Sequence, residues 1–254
     1  MKTFRPLFFI TAMILVVGLA CGASGGDTPE DPAQPQQDQP QDPHPPAQDD
    51  PQSTQPPQAE EPSGSMYFTE EFDQDPGWRY FLTSGEDKTD FIKIEFTDSL
   101  MIFDLEETGI FAYYMYEDHS YEDVRIDIRA ENRGKNNNNV SLICRYSDEG
   151  WYEFSTEGGG LWYLYAVTFN EESKPVYKRI DNGGASSLKQ GKEVNEYGML
   201  CEGEEITLFV NGKELKNRVE DDYSFREGQV GFNISSLNVY PIILEVDWFK
   251  VSEP

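Results

Sequence analysis

This chain is poor in basic charge, in histidine and in cysteine, and no stretch of helical length carries an apolar period. Its 254 residues hold 20 Lys and Arg against 47 Asp and Glu, a formal charge of -27. Nucleic acid and anionic membrane surfaces would repel such a chain, which disfavours both as partners. Neutral polymers, cationic partners and calcium remain compatible, as does acidity that serves only solubility. The two histidines, His44 and His119, enter no Ser-His-Asp order and no HExxH run, and no glycine loop is spaced to cradle phosphate. His119, within Glu117-Asp118-His119-Ser120, reads as a solvated loop residue rather than a base. The three cysteines, Cys21, Cys144 and Cys201, show no CxxC or Cys/His spacing that would suggest zinc.

What is present begins with an export signal. Lys2 and Arg5 precede an apolar stretch from Leu7 to Val17, followed by Gly18-Leu19-Ala20-Cys21. A basic start, a short apolar run and small residues at the cut mark a secretory segment, and the run is too short to span a bilayer. The ending resembles a bacterial lipobox, with Gly18 standing where Leu is usual. That resemblance implies removal of residues 1–20, a diacylglyceryl group on Cys21, and a protein anchored outside the cytoplasmic membrane at the cell surface. A plain secreted protein is the alternative. Residues 21–65 are Pro, Gln and Asp with almost no large apolar side chain. Such a segment cannot bury enough apolar surface to offset its ordering entropy, so we expect a disordered stalk.

Residues 66–254 read as one all-β domain. Val124-Arg125-Ile126-Asp127-Ile128-Arg129 alternates apolar with charged residues, as a half-buried antiparallel strand does. Further strands are expected at Asp90–Phe96, Leu100–Leu105, Val140–Tyr146, Ile206–Val210, Gln229–Ile234 and Ile242–Val251. Turns are expected at Gly158-Gly159-Gly160, Asn182-Gly183-Gly184 and Asn211-Gly212, the last being a strong hairpin cue. Alternation puts Cys144 on the face of Val140 and Leu142, and Cys201 on that of Tyr197 and Met199. If both faces point inward, the pair can form a disulfide across the core; two buried free thiols are the alternative. The expected architecture is a two-sheet antiparallel jelly-roll β-sandwich.

The order Leu142-Ile143-Cys144-Arg145-Tyr146, Trp151-Tyr152-Glu153-Phe154, Ile206–Gly212, Gly228–Phe232 and Val246–Val251 resembles the concanavalin A-like lectin/glucanase superfamily. The nearest branches are the laminin-G-like and 3-keto-disaccharide-hydrolase-like (DUF1080) domains. The resemblance covers nearly all of residues 66–254 and implies two curved sheets whose concave face binds or cleaves glycans. Its motif residues serve packing and turns, so they mark the fold better than the activity.

Candidate sites follow from strand parity. Trp151, Glu153, Tyr163 and Tyr165 share the face opposite the core, and Arg145, opposite Cys144, is expected to join them. Rings that stack on sugar C–H patches, with charged groups for hydroxyls, suit non-catalytic carbohydrate binding. Glu245-Val246-Asp247 resembles part of the Glu-x-Asp-x-x-Glu signature of family 16 glucanases, but Lys250 stands where the second Glu belongs. A glycosidase of the keto-disaccharide type is therefore an alternative, and a module docking another envelope protein is a third. Glu117, Asp118, Glu122 and Asp123 form an acidic cluster that could hold calcium, although its spacing matches no loop motif.

Overall fold

The structure, a computed structural model, describes residues 65–254. The signal segment, Cys21 and the stalk up to residue 64 lie outside the described residues. Fifteen strands make up the domain: β1 Phe68–Glu70, β2 Arg79–Ser84, β3 Ile92–Thr97, β4 Leu100–Leu105 and β5 Phe111–Tyr121. Then come β6 Val124–Asn132, β7 Asn138–Tyr146, β8 Trp151–Glu157, β9 Leu161–Phe169 and β10 Pro175–Gly184. The last five are β11 Val194–Glu202, β12 Glu205–Val210, β13 Lys213–Val219, β14 Gly228–Ser236 and β15 Ile242–Ser252.

They form two antiparallel sheets, a jelly-roll sandwich. The first sheet runs β13-β12-β11-β6-β15-β4-β3, with β1 pairing to β15. β4 pairs with Ile242 to Val246 of β15, and β1 takes up that edge further on, at Phe249 to Val251. The second sheet runs β10-β9-β8-β7-β14-β5-β2. Alternation decides what lies between them: Val124, Ile126, Ile128 and Ala130 of β6 point inward with Phe103, Phe154, Leu164, Phe232 and Phe249.

Cys144 of β7 and Cys201 of β11 are bonded to each other, both fully buried, so the disulfide ties one sheet to the other through the core. Asn211 and Gly212 join β12 to β13 with φ of 52° and 72°, the left-handed pair that this two-residue hairpin demands. Asn182-Gly183-Gly184 departs from expectation. It is no turn but the end of β10, where Gly183 lies against the Trp162 ring. A Cβ there would sit 2.8 Å from that ring, so the glycine serves close packing.

Candidate functional site on the curled sheet

The outer face of the seven-stranded sheet is built by every second residue of its strands. β8 presents Trp151, Glu153, Ser155 and Glu157, while β9 presents Tyr163, Tyr165, Val167 and Phe169. β5 adds Phe111, Tyr113 and Met115, and β14 adds Asn233. On an open sheet these side chains would meet solvent. Here Tyr113, Trp151 and Glu153 are 0%, 1% and 2% exposed.

The cause is curvature. β10 and β2 are opposite edges of the sheet. Six interstrand gaps in a flat sheet would hold them about 29 Å apart. Yet Tyr177 Oη of β10 and Thr83 Oγ1 of β2 are 3.0 Å apart. The sheet has curled until its edges meet across the concave face, enclosing a second apolar layer. Tyr113, Met115, Ile143, Trp151 and Val167 form that layer, with Phe81, Phe111, Tyr146, Tyr165, Phe169 and Tyr177 around them.

Glu153 sits within this layer. Its carboxyl accepts hydrogen bonds from Tyr113 Oη at 2.8 Å, Trp151 Nε1 at 3.1 Å and Asn233 Nδ2 at 3.3 Å. Tyr177 Oη lies 2.7 Å from Tyr113 Oη. Because the Tyr113 proton points to Glu153, Tyr177 donates to Tyr113, and Thr83 donates to Tyr177. Burial raises the Glu153 pKa above the ordinary carboxylate range, and the hydrogen bonds from Trp151 and Tyr113 oppose that rise. Burial likewise pushes the Tyr113 hydroxyl up, reinforced by the Glu153 charge, which keeps it a donor.

Tyr177 separates two cavities. One, of about 270 Å³, is lined by Phe111, Asn139, Glu153, Ser155, Glu157, Tyr163, Tyr165 and Leu237 besides Tyr177 itself. The rings of Tyr163 and Tyr165 stack there, with centroids 5.8 Å apart and planes at 28°. Asn139, 8% exposed, brings a carbonyl oxygen that finds no partner among the described residues. The other cavity, of about 400 Å³, is walled by Phe81, Tyr146, Trp151, Phe169 and Tyr177, with Glu86 and Lys174 among its lining residues.

Four of the five residues expected on this face are there: Trp151, Glu153, Tyr163 and Tyr165. Arg145 is not. The register between β7 and β14 slips at Gln229/Gly231, and Arg145 takes a left-handed φ of 57°, so Tyr146 assumes the outward position. The Arg145 side chain, 2% exposed, turns in to the carbonyls of Glu122 at 2.7 and 2.9 Å and Phe225 at 3.1 Å. It fixes loops rather than facing a ligand.

Other candidates also resolve differently from their expectation. Glu245 and Asp247 lie on the other sheet, facing Arg133 at 3.5 Å and Arg129 at 2.9 Å. The acidic cluster is dispersed: Glu117 pairs with Arg79, and Asp123 accepts from the Gly203 amide at 2.7 Å. Among the described residues, no group of three or more His, Cys, Asp or Glu side chains is placed to hold a metal ion. His119, expected in a solvated loop, is half-buried in β5, its ring 5.9 Å from Tyr116 and 6.4 Å from Tyr121.

Sequence reasoning missed Tyr113, Asn139, Tyr177 and Asn233 as members of the site. A strand read through Pro175–Ile180, returning from β9, would have set Tyr177 opposite Val167 on the same face.

The two-sheet jelly-roll sandwich has counterparts of the same fold among solved structures. A Bacillus subtilis protein of unknown function with a galectin-like fold superposes with a TM-score of 0.56 at 10% identity. That match covers 74% of this chain and 98% of that one. A Bacteroides ovatus glycoside hydrolase family 16 protein from a mixed-linkage glucan utilisation locus, in complex with a glucan product, gives 0.54 at 8% identity. It covers 73% of this chain and 99% of its own. A second B. ovatus family 16 endo-glucanase gives 0.53 at 9%, covering 73% and 99%. At such identities the likeness gives the fold alone. No family model matches the chain, and no curated protein does.

Proposed function

We propose that this domain binds carbohydrate, specifically a neutral glucan, on the concave face of its seven-stranded sheet without cleaving it. We propose further that the chain is held at the cell surface by lipid on Cys21. The observation that carries the first reading is the 270 Å³ cavity, where the Tyr163–Tyr165 stack stands beside Glu153 and the unpartnered Asn139 oxygen. Tyrosine rings supply a flat apolar surface for sugar C–H faces, and buried acceptors orient hydroxyls. The excess of acidic residues favours a neutral polymer over an anionic one. The glucan-acting proteins of the same fold agree with this choice.

Among the described residues, no carboxylate is next to Glu153 on its own strand face or in register across the strands. Its neighbours across the strands are Ile143 and Tyr165, and on its own strand face Trp151 and Ser155. Glu157 comes four residues further, about 13 Å along an extended strand. Glycoside hydrolysis uses two carboxyls within roughly 5 to 9.5 Å. A buried carboxyl already held by Tyr113, Trp151 and Asn233 suits orienting a hydroxyl better than breaking a glycosidic bond.

A glycan array probed with the full chain, with calcium and again with EDTA, tests the reading. Saturable binding to glucans that is lost in Tyr163→Ala supports it, and silence across the array overturns it. For the anchor, mass spectrometry of the mature protein should find a diacylglyceryl group on Cys21; an unmodified N-terminus elsewhere would refute it.

A further inference from the structure

The concave face of a jelly roll can be an open trough along which a polymer lies. In this chain the trough is crossed. Tyr177 reaches from one edge strand to Thr83 on the other, and its ring lines both the 270 Å³ and the 400 Å³ cavity. Its ring also stands edge-on to Trp151 and Tyr165, with centroids 6.4 and 5.9 Å away. Two hydroxyl contacts and two ring contacts hold one side chain as a partition. A glycan resting on the Tyr163–Tyr165 stack cannot continue past it into the second cavity.

The polar groups on the near side of the partition point the same way. Asn139 Oδ1 and the carboxyls of Glu153 and Glu157 are acceptors, so they call for O–H donors on the ligand. A terminal sugar carries a free hydroxyl where an interior sugar has a glycosidic oxygen, which can only accept. An interior unit keeps its other hydroxyls as donors, but at the position that carries the chain onward its glycosidic oxygen would face an acceptor, and such mismatches are costly.

We propose that Tyr177 makes the site a receptor for glycan ends, with the terminal sugar of a neutral glucan seated between Tyr165, Asn139 and Glu153. The inference rests on the carbohydrate reading above and adds to it the part of the chain that is recognised. Tyr177 is the specificity-determining residue.

A linear β-gluco-oligosaccharide and a cyclic β-glucan, which has no ends, separate the possibilities by titration calorimetry. The wild-type chain should bind the linear ligand at least roughly a hundredfold more tightly than the ring, as expected of a site that hydrogen-bonds a hydroxyl its competitor lacks. Tyr177→Ala removes the partition and should shrink that ratio to below about tenfold, by admitting the ring. Equal binding of linear and cyclic glucan by the wild-type chain would overturn end recognition and leave the carbohydrate reading standing. Binding of neither would overturn both. Should Tyr177→Ala fail to fold, the wild-type ratio still decides, and Tyr177→Phe tests the latch. Phenylalanine keeps the ring but loses both hydroxyl contacts, so it should give a ratio between those of the other two proteins.

Discussion

The outer faces of the two sheets obey the same alternation rule and end in opposite states. On β6 and β15 the outward residues include Arg125, Asp127, Arg129, Glu131, Glu245 and Asp247, half-buried and paired with opposite charges, with Ile243 and Trp248 among them. On β8 and β9 half of them are aromatic, and Trp151 is buried. The first face can stay in water because its charges are solvated. The second cannot, so the sheet curls over it and Tyr177 closes the gap. Curling leaves cavities, and it buries one carboxyl among donors. The difference in face chemistry thus decides which sheet carries the site.

The contrast can be broken first by removing bulk. Trp151→Ala should cost about 3 to 5 kcal/mol in urea unfolding, as large-to-small changes in a packed layer do, whereas Arg129→Ala or Asp247→Ala should cost under about 1 kcal/mol. Comparable small losses on both faces would mean that the concave layer is not a second core. Next comes the link between the sheets. Replacing Cys144 and Cys201 by Ala opens a crosslink of sequence separation 57, which the chain-entropy account values at roughly 4 kcal/mol. Unchanged thermal unfolding would show that the bond contributes little.

Arg145→Ala sharpens the distinction between scaffold and site. It should cost about 1 to 3 kcal/mol, because buried carbonyls of Glu122 and Phe225 lose their donor, yet leave glycan affinity unchanged. A selective loss of binding would return Arg145 to the ligand face. The smallest effect is on pH dependence. The folded pKa of Glu153 lies above its unfolded value, so the folded state binds more protons between the two, and stability falls as pH rises through that window. Glu153→Gln should flatten this slope relative to wild type in unfolding curves taken from acid to neutral pH. An identical slope in the variant would place the titrating group elsewhere.

Much of this was legible from local pattern. Parity alone placed Trp151, Glu153, Tyr163 and Tyr165 on one face and turned Cys144 and Cys201 toward each other. Parity fails where a bulge adds a residue, and nothing in Ile143-Cys144-Arg145-Tyr146 announces the left-handed turn at Arg145. Gly183 illustrates another limit, since a glycine beside Asn reads as a turn until the Trp162 ring is seen against it. Tyr177, Thr83 and Tyr113 were out of reach for a different reason. Their meeting depends on the accumulated curvature of seven strands, a property of the sheet that no single segment encodes.

The most direct test of a glucan site on the curled sheet is backbone NMR of the isotope-labelled full chain titrated with a linear mixed-linkage gluco-oligosaccharide. The account predicts shifts concentrated at Asn139, Ser155, Glu157, Tyr163, Tyr165 and Tyr177, with β6 and β15 silent. Shifts centred on Arg129 and Asp247, or none at saturating ligand, would contradict it.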